Sequence, residues 1–346
     1  MRGEVTVREA RPEENDGLIA LDAACSMGEA VALRFDRSPD FFARAAVYER
    51  AIVLVAEVAG RLVGVAAAAI KVLRVGGIVG PWAYLFDLRV APEARRRGVA
   101  SAVGDALRAR LRAAGVARTY SLVLSDNAPS LAFVSGRGSE VVRTCRIAFI
   151  GLPTEESGGP PARRVEQEEA AACADLLEEI AATRDFSPAD PAAHLRGLAG
   201  PPPRAGWEGL FCVGSRGDPD AVFGLWDYSR VMRFRFRRVP PGLRAKGAWR
   251  ETLDARGEAA PFFLAPLALR DPDRWPAVLT AISRAVAARP REAPPALLVL
   301  PYDAEDPALA AFAAGSGRDA GVHLVVRTGA DPPLLDRPVF LDPADL

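Results

Sequence analysis

The chain has 346 residues, 50% of them hydrophobic, with 44 Lys+Arg against 44 Asp+Glu and a pI near 6.8. Its length allows two domains of ordinary size. Its balanced charge speaks against nucleic acid or an anionic membrane as partner. The 4 cysteines (Cys25, Cys145, Cys173 and Cys212) are dispersed, and with 2 histidines they supply neither a structural metal site nor a disulfide framework.

The first ten residues are charged and carry no apolar stretch, so no signal peptide is expected. The longest apolar run, Leu62 to Leu73, is interrupted by Lys71 and is too short to span a bilayer. A cytoplasmic location is the expectation.

Val5 to Glu14 reads as an opening strand that turns at Pro12 into a helix. Met27 to Tyr48 follows, with Arg34, Phe35, Arg37 and the pair Phe41-Phe42. Its arginines read as a solvated helical face, with capture of a carboxylate-bearing ligand as the alternative. Ile52–Val58 and Leu62–Ala68 form a hairpin about Ala59-Gly60. Leu85 to Val90 is an apolar strand, Ala91-Pro92 a turn, and Arg95-Arg96-Arg97-Gly98 a basic loop. Val99, Val103, Ala106, Leu107 and Leu111 then recur at helical spacing. A further strand spans Thr119 to Leu124. Ser125-Asp126-Asn127, a short helix from Pro129 to Val134, Gly138 and a strand from Val141 to Ile150 complete this half.

A strand that passes through a basic, glycine-containing loop into a helix N-terminus suits a phosphate. The first helical amides lack internal partners, and the helix dipole places partial positive charge there. Gly98 lets the backbone approach an anion closely. Arg95, Arg96, Arg97 and the amides of Gly98, Val99 and Ala100 are the candidate contacts. An arginine-rich solvated loop is the plain alternative, since the chain has only two lysines, Lys71 and Lys246.

The spacing Arg95-x-x-Gly98-x-Ala100, after Asp87-Leu88-Arg89-Val90-Ala91-Pro92, resembles the acyl-CoA-binding motif of the GNAT superfamily of N-acetyltransferases. The order strand, Asn127, short helix, Gly138, closing strand is similar too, and the likeness covers roughly residues 4–152. The resemblance implies an α/β (α+β) fold, a GNAT-like mixed, mostly antiparallel sheet with flanking helices. It implies acetyl-CoA as co-substrate, no metal, and a small-molecule or peptide amine as acceptor. The pantetheine arm would lie against Leu88, Arg89 and Val90, with Asn127, Ser130 and Phe133 completing the cofactor site; Asn127 is equally a plain helix cap. A main-chain N–H there would polarise the thioester carbonyl, and the amine would attack directly, without a covalent enzyme nucleophile. Asp87 is the candidate base or acceptor-gripping carboxylate, with a structural carboxylate as its alternative.

One departure stands out. The family's proton-donating tyrosine position falls on Val134, and the aromatic that follows the glycine is Ser139. Ser125, Ser135, Tyr84, Tyr120 or water could protonate the thiolate, or it could leave unprotonated. Alternatively the protein is a non-catalytic acyl-CoA sensor or scaffold. A dinucleotide-binding reading is disfavoured by the missing Gly-x-Gly start. In the family the segment here spanning Met27 to Tyr48 shapes the acceptor pocket. A homodimer is left open.

The chain divides into 1–152, an acyl-CoA-binding domain; 153–163, a Gly/Pro-rich linker; and 164–346. In the last part, Glu166 to Ala182 is an amphipathic helix, Gly200 to Pro203 a loop, and Leu210–Val213 and Ala221–Val239 are strands. The second strand alternates through Met232-Arg233-Phe234-Arg235-Phe236-Arg237, with its arginines expected on a wet face. A ribbon for single-stranded nucleic acid is the weaker reading.

From Leu264 onward the first half is repeated in order: strand to Asp271-Pro272, helix Trp275–Ala288, strand Leu297–Pro301, helix Asp306–Phe312, strand Val322–Arg327. The glycine loop is replaced by Asp271-Pro272-Asp273-Arg274-Trp275-Pro276, whose carboxylates repel a pyrophosphate. The expectation is two tandem GNAT-like domains, the second a degenerate copy.

Overall fold

The computed structural model describes residues 4–25, 33–151, 162–194, 205–236, 257–287, 296–314, 319–329 and 332–346. The linker expected at 153–163 lies outside them except for Ala162 and Arg163, as do the loop at Gly200 to Pro203 and the last residues of the strand expected to reach Val239.

The first half runs β1 (Val5–Glu9), α1 (Asn15–Ala24), β2 (Leu33–Asp36), α2 (Ala43–Ala46), β3 (Ala51–Val58), β4 (Arg61–Val75), β5 (Ile78–Val90), α3 (Val99–Ala113), β6 (Thr119–Leu124), α4 (Ala128–Ser135) and β7 (Glu140–Gly151). The second runs β8 (Arg163–Arg164), α5 (Ala170–Ala182), β9 (Ser187–Pro188), β10 (Trp207–Gly214), β11 (Pro219–Asp227), β12 (Arg233–Phe236), β13 (Glu258–Leu269), α6 (Trp275–Ala287), β14 (Ala296–Tyr302), α7 (Pro307–Ala314) and β15 (Asp319–Arg327). The succession β5-α3-β6-α4-β7 is thus repeated as β13-α6-β14-α7-β15.

One mixed sheet holds both halves, in the order β1-β3-β4-β5-β6-β15-β7-β14-β13-β11-β10-β8. The pairs β5·β6 and β13·β14 are parallel; the other neighbours on this path are antiparallel. The closing strands are exchanged: β15 lies between β6 and β7, and β7 lies between β15 and β14. Each half therefore completes the other's sheet.

Small residues let β4 be covered on both faces. Ala66 and Ala68 face α1 and α3, while Ala67 and Ala69 face a core shared with the second half. Helix α3 buries Val99, Val103, Leu107 and Leu111 against the first face. Complete burial of such side chains contributes roughly 1.5–3 kcal/mol each. Gly64 sets the distance: a Cβ there would meet the Val99 side chain at 2.8 Å. The second half buries Trp275, Val278 and Ile282 of α6 in the equivalent place.

Two expectations change. The strand expected over Ala221 to Val239 breaks at Tyr228–Arg230 into β11 and β12, and β12 pairs with β2. Its arginines are not simply solvated: Arg235 bridges Asp36 and Glu258, both at 2.9 Å, and Arg233 lies 3.4 Å from Asp36. The segment around Arg37 is likewise no wet helical face. Arg34 lies in strand β2, and Arg37 is 1% exposed.

The exchange makes a prediction. Separate polypeptides 1–151 and 162–346 leave β6, β7, β14 and β15 with unpaired edges, which drive association. Each alone should aggregate or lack a cooperative unfolding transition by circular dichroism, while co-expression should yield a one-to-one complex on size exclusion. A soluble, cooperatively folded 1–151 would refute it.

Candidate active site

Strands β5 and β6 pair at only two positions, Ala83↔Thr119 and Tyr84↔Tyr120, and then part. Beyond that fork β5 still pairs with β4, and β6 with β15. The edges of β5 and β6 that face one another are thereby left for an extended ligand. A bulge between the Ala67↔Phe86 and Val65↔Arg89 pairs bends β5 at the fork, with Asp87 at φ 53°.

The fork opens toward the basic loop. Arg96 and Gly98 turn the chain with φ 60° and 79°, and Gly98 caps α3 with no side chain on the helix amides. Arg95, Arg96, Arg97 and Gly98 are exposed, while Val99 packs beneath. The Arg95 Nε donates to the Val90 carbonyl at 3.3 Å. Leu88, Val90 and Ala100 are half-buried at the same end. This arrangement fits a pyrophosphate at the helix end and a thin arm between the strands.

Other sequence candidates have different partners. Arg89 donates to Asp22 at 2.9 Å, which ties β5 to α1. Asn127 accepts from the Ser130 amide at 3.3 Å, so its helix-capping role is realised. Phe133 lies against Gly104, where a Cβ would sit 4.0 Å from its ring, and under Arg137. It packs α4 on α3. Ser125 is exposed at the end of β6, its amide bonded to the Gly321 carbonyl at 2.9 Å. Val134 is half-buried.

Asp87 is where the sequence placed it, on β5 beside the fork, but its chemistry is different. It is 5% exposed and accepts from Arg37 at 2.5 Å and Arg44 at 2.8 Å. Burial raises its affinity for a proton, yet the two guanidiniums dominate and hold the carboxyl well below the usual range. A carboxylate so stabilised is a poor base; it anchors β2 and α2 to the sheet.

Beneath the fork lies a buried polar cluster that sequence reasoning met only through Tyr84 and Tyr120. Tyr120 donates to Asp345 at 2.7 Å, and Tyr48 to the same carboxylate at 3.2 Å. Lys71 donates to Asp345 at 2.5 Å and to Asp342 at 2.8 Å. Tyr84 and Arg44 both donate to the Asp345 main-chain carbonyl. Burial is the largest influence on Asp345; with Asp342 nearby it outweighs Lys71 and raises the carboxyl above its usual range. In Asp342 the attraction of Lys71 prevails and the carboxyl is lowered. Burial also pushes the Tyr84 and Tyr120 phenols up, so both keep their protons. Tyr84 stacks on Phe86 at 5.3 Å and lies 5.3 Å from Tyr120. One local signal pointed here: Lys71 is one of two lysines in a chain that otherwise uses arginine.

The second half has the same fork, paired at Ala260↔Ala296, Pro261↔Leu297 and Phe262↔Leu298. It is filled. Arg184 reaches the Leu267 carbonyl at 3.3 Å and Asp306 at 2.6 Å, and the Val339 amide donates to Asp303 at 2.9 Å. Leu264, Leu300, Val339, Phe340 and Leu341 line what remains, a void of ≈ 10 Å³, about what one water needs.

Among the described residues no group of three His, Cys, Asp or Glu could hold a metal ion, and no helix is long and apolar enough to cross a membrane. No curated protein sequence matches the chain. The profile of the acetyltransferase (GNAT) family matches residues 22–138. Among solved structures, Saccharomyces cerevisiae N-myristoyltransferase with bound myristoyl-CoA superposes with a TM-score of 0.63 at 9% identity, over 99% of this chain and 90% of that one. A GCN5-related N-acetyltransferase from Anabaena variabilis gives 0.54 at 13% identity, over 94% and 73%. These likenesses to solved structures are likenesses of fold. The fork, the glycine-capped helix and the match to the acetyltransferase (GNAT) family model all fall within the first half of the chain, and the GNAT-like fold extends over both halves.

Proposed function

We propose that the protein is an acyl-CoA-dependent N-acyltransferase that transfers an acetyl group to the amine of a small molecule or peptide. One observation carries the reading: the β5–β6 fork opens onto a helix N-terminus whose amides no side chain caps, flanked by three arginines. The loop and the first amides of α3 would hold the pyrophosphate, each charge-assisted hydrogen bond contributing roughly 1.5–3 kcal/mol. The pantetheine arm would lie against β5. The second half, its fork filled and its loop carrying Asp271 and Asp273, would bind no acyl-CoA. An intracellular site of action accords with acyl-CoA as co-substrate.

Asp345 is the proposed base in place of Asp87. It lies under Tyr84 and Tyr120, the last pair before the strands part, and its raised proton affinity suits it to take a proton from an ammonium group. The free amine then attacks the thioester carbonyl and the C–S bond breaks. The proton lost by nitrogen leaves with the thiolate as CoA thiol, so no phenol needs to ionise. Asp345 is 3% exposed, so the acceptor reaches it only after the segment bearing it shifts.

The acyl group is the open choice within this reading, because one structural neighbour holds myristoyl-CoA. CoA release should be measured with acetyl-, octanoyl- and myristoyl-CoA against a panel of amines and N-terminal peptides. Turnover with acetyl-CoA supports the proposal; turnover restricted to the longer chains corrects the acyl group. Tight binding with no release from any combination would establish the non-catalytic binder that Val134 motivates.

Arg95→Ala and Gly98→Asp should each weaken acyl-CoA affinity ~10-fold or more, at 1.4 kcal/mol per decade. Unchanged calorimetric affinity in both would leave the loop with no role in binding.

Asp345→Asn should lower kcat by ~10² or more while KM for acyl-CoA stays within a few-fold. Its stability should move the other way. A carboxyl raised in the folded state is stabilising only while protonated, and that contribution is lost as pH rises through its folded value. The variant should therefore match or exceed the wild type in Tm at neutral pH, and its advantage should vanish toward acid. A loss of both Tm and activity would mark Asp345 as structural.

A further inference from the structure

We infer that the end of α3 remote from the cofactor loop forms a second anion site, which takes a small phosphate-bearing ligand. A cleft of ≈ 320 Å³ is lined by Asp105, Arg108, Arg112, Gly136, Arg137 and Arg327. Three elements build it: α3, the turn after α4, and the end of β15, so both halves contribute. Arg327 pairs with Thr119, and their neighbours Val326 and Tyr120 enter the core on the opposite face of the sheet. That alternation aims Arg327 at α3 and α4.

Four guanidiniums thus line one cleft that holds a single carboxylate. Asp105 accepts from both Arg108 and Arg137. Among the described residues Arg112 and Arg327 have no carboxylate partner, and the Arg137 Nε is buried without any acceptor. Burial, with the charges of Arg137 and Arg327, lowers the proton affinity of Arg108 despite Asp105. A second anion would relieve that repulsion. Planar guanidinium forks match phosphate oxygens two at a time. The lining offers no large apolar group, so it suits a compact phosphorylated molecule rather than a lipid or an acyl chain. Arg108 and Arg112 lie nine and thirteen residues along α3 from Val99, roughly 14–20 Å at helical rise. The pyrophosphate of an acyl-CoA at the other end does not reach them.

The test titrates inorganic phosphate and pyrophosphate into the full chain by calorimetry, in the wild type and in Gly98→Asp, which disables the cofactor loop. Binding should persist in Gly98→Asp. It should fall ~100-fold when Arg112→Ala and Arg327→Ala are added, about tenfold for each guanidinium. Asp105→Ala should tighten it, since a like charge leaves the cleft, whereas a purely structural aspartate would give no gain. The inference is overturned if Gly98→Asp shows no saturable binding up to ~10 mM, or if removing both arginines leaves its affinity unchanged. Failure of acyl transfer would leave this result intact, because the two sites share no residue.

Discussion

The exchange of β7 and β15 is the constraint on which the molecule depends. A sheet edge must be paired, covered or charged. Here the β6 edge is covered by a strand from the other half, and the β14 edge reciprocally. The exchanged strands hold β6 and β14 from their outer edges, while the inner edges of both part from β5 and β13.

The two forks then diverge by what enters them. In the second, Arg184 and the stretch Val339–Leu341 occupy the space, and Asp303 and Asp306 hold them there. In the first, the bulge at Asp87, two buried arginines and the Gly98 turn leave the strands' facing edges available. Buried ions of this kind are costly unless fully paired. Burial pushes both Asp87 and Asp345 up; the two guanidiniums overcome it at Asp87, whereas at Asp345 burial together with the nearby Asp342 charge outweighs Lys71.

Local patterns in the sequence carried the fold of the first half far. The apolar spacing from Val99 to Leu111 located α3, and Thr119 to Leu124 coincides with β6. The repeat in the second half was readable because element order survives when identity does not. Arg37 could not be read as Asp87's partner, since 50 residues separate them and an arginine on a short polar segment looks solvated. The break at Tyr228 was hidden by the alternation from Met232 onward, which made the whole stretch read as one strand; in β12 long-range ion pairs rather than water receive Arg233 and Arg235. Asp345 lies in a polar stretch with no periodicity, and only the folded chain brings it to three tyrosines.

The tyrosines beneath the first fork receive their acceptor very late. Tyr120 bonds to a carboxylate 225 residues further along the chain. At a ribosomal pace of about 5–20 residues per second, that interval is roughly 10–45 s. Throughout it Tyr48, Lys71, Tyr84 and Tyr120 stay hydrated or mispaired, and the β6 edge is open. The nascent first half can form local helices and hairpins but cannot close its core. During translation the chain therefore keeps strand edges exposed for the whole of that interval, although it contains a segment of ordinary domain size from the outset.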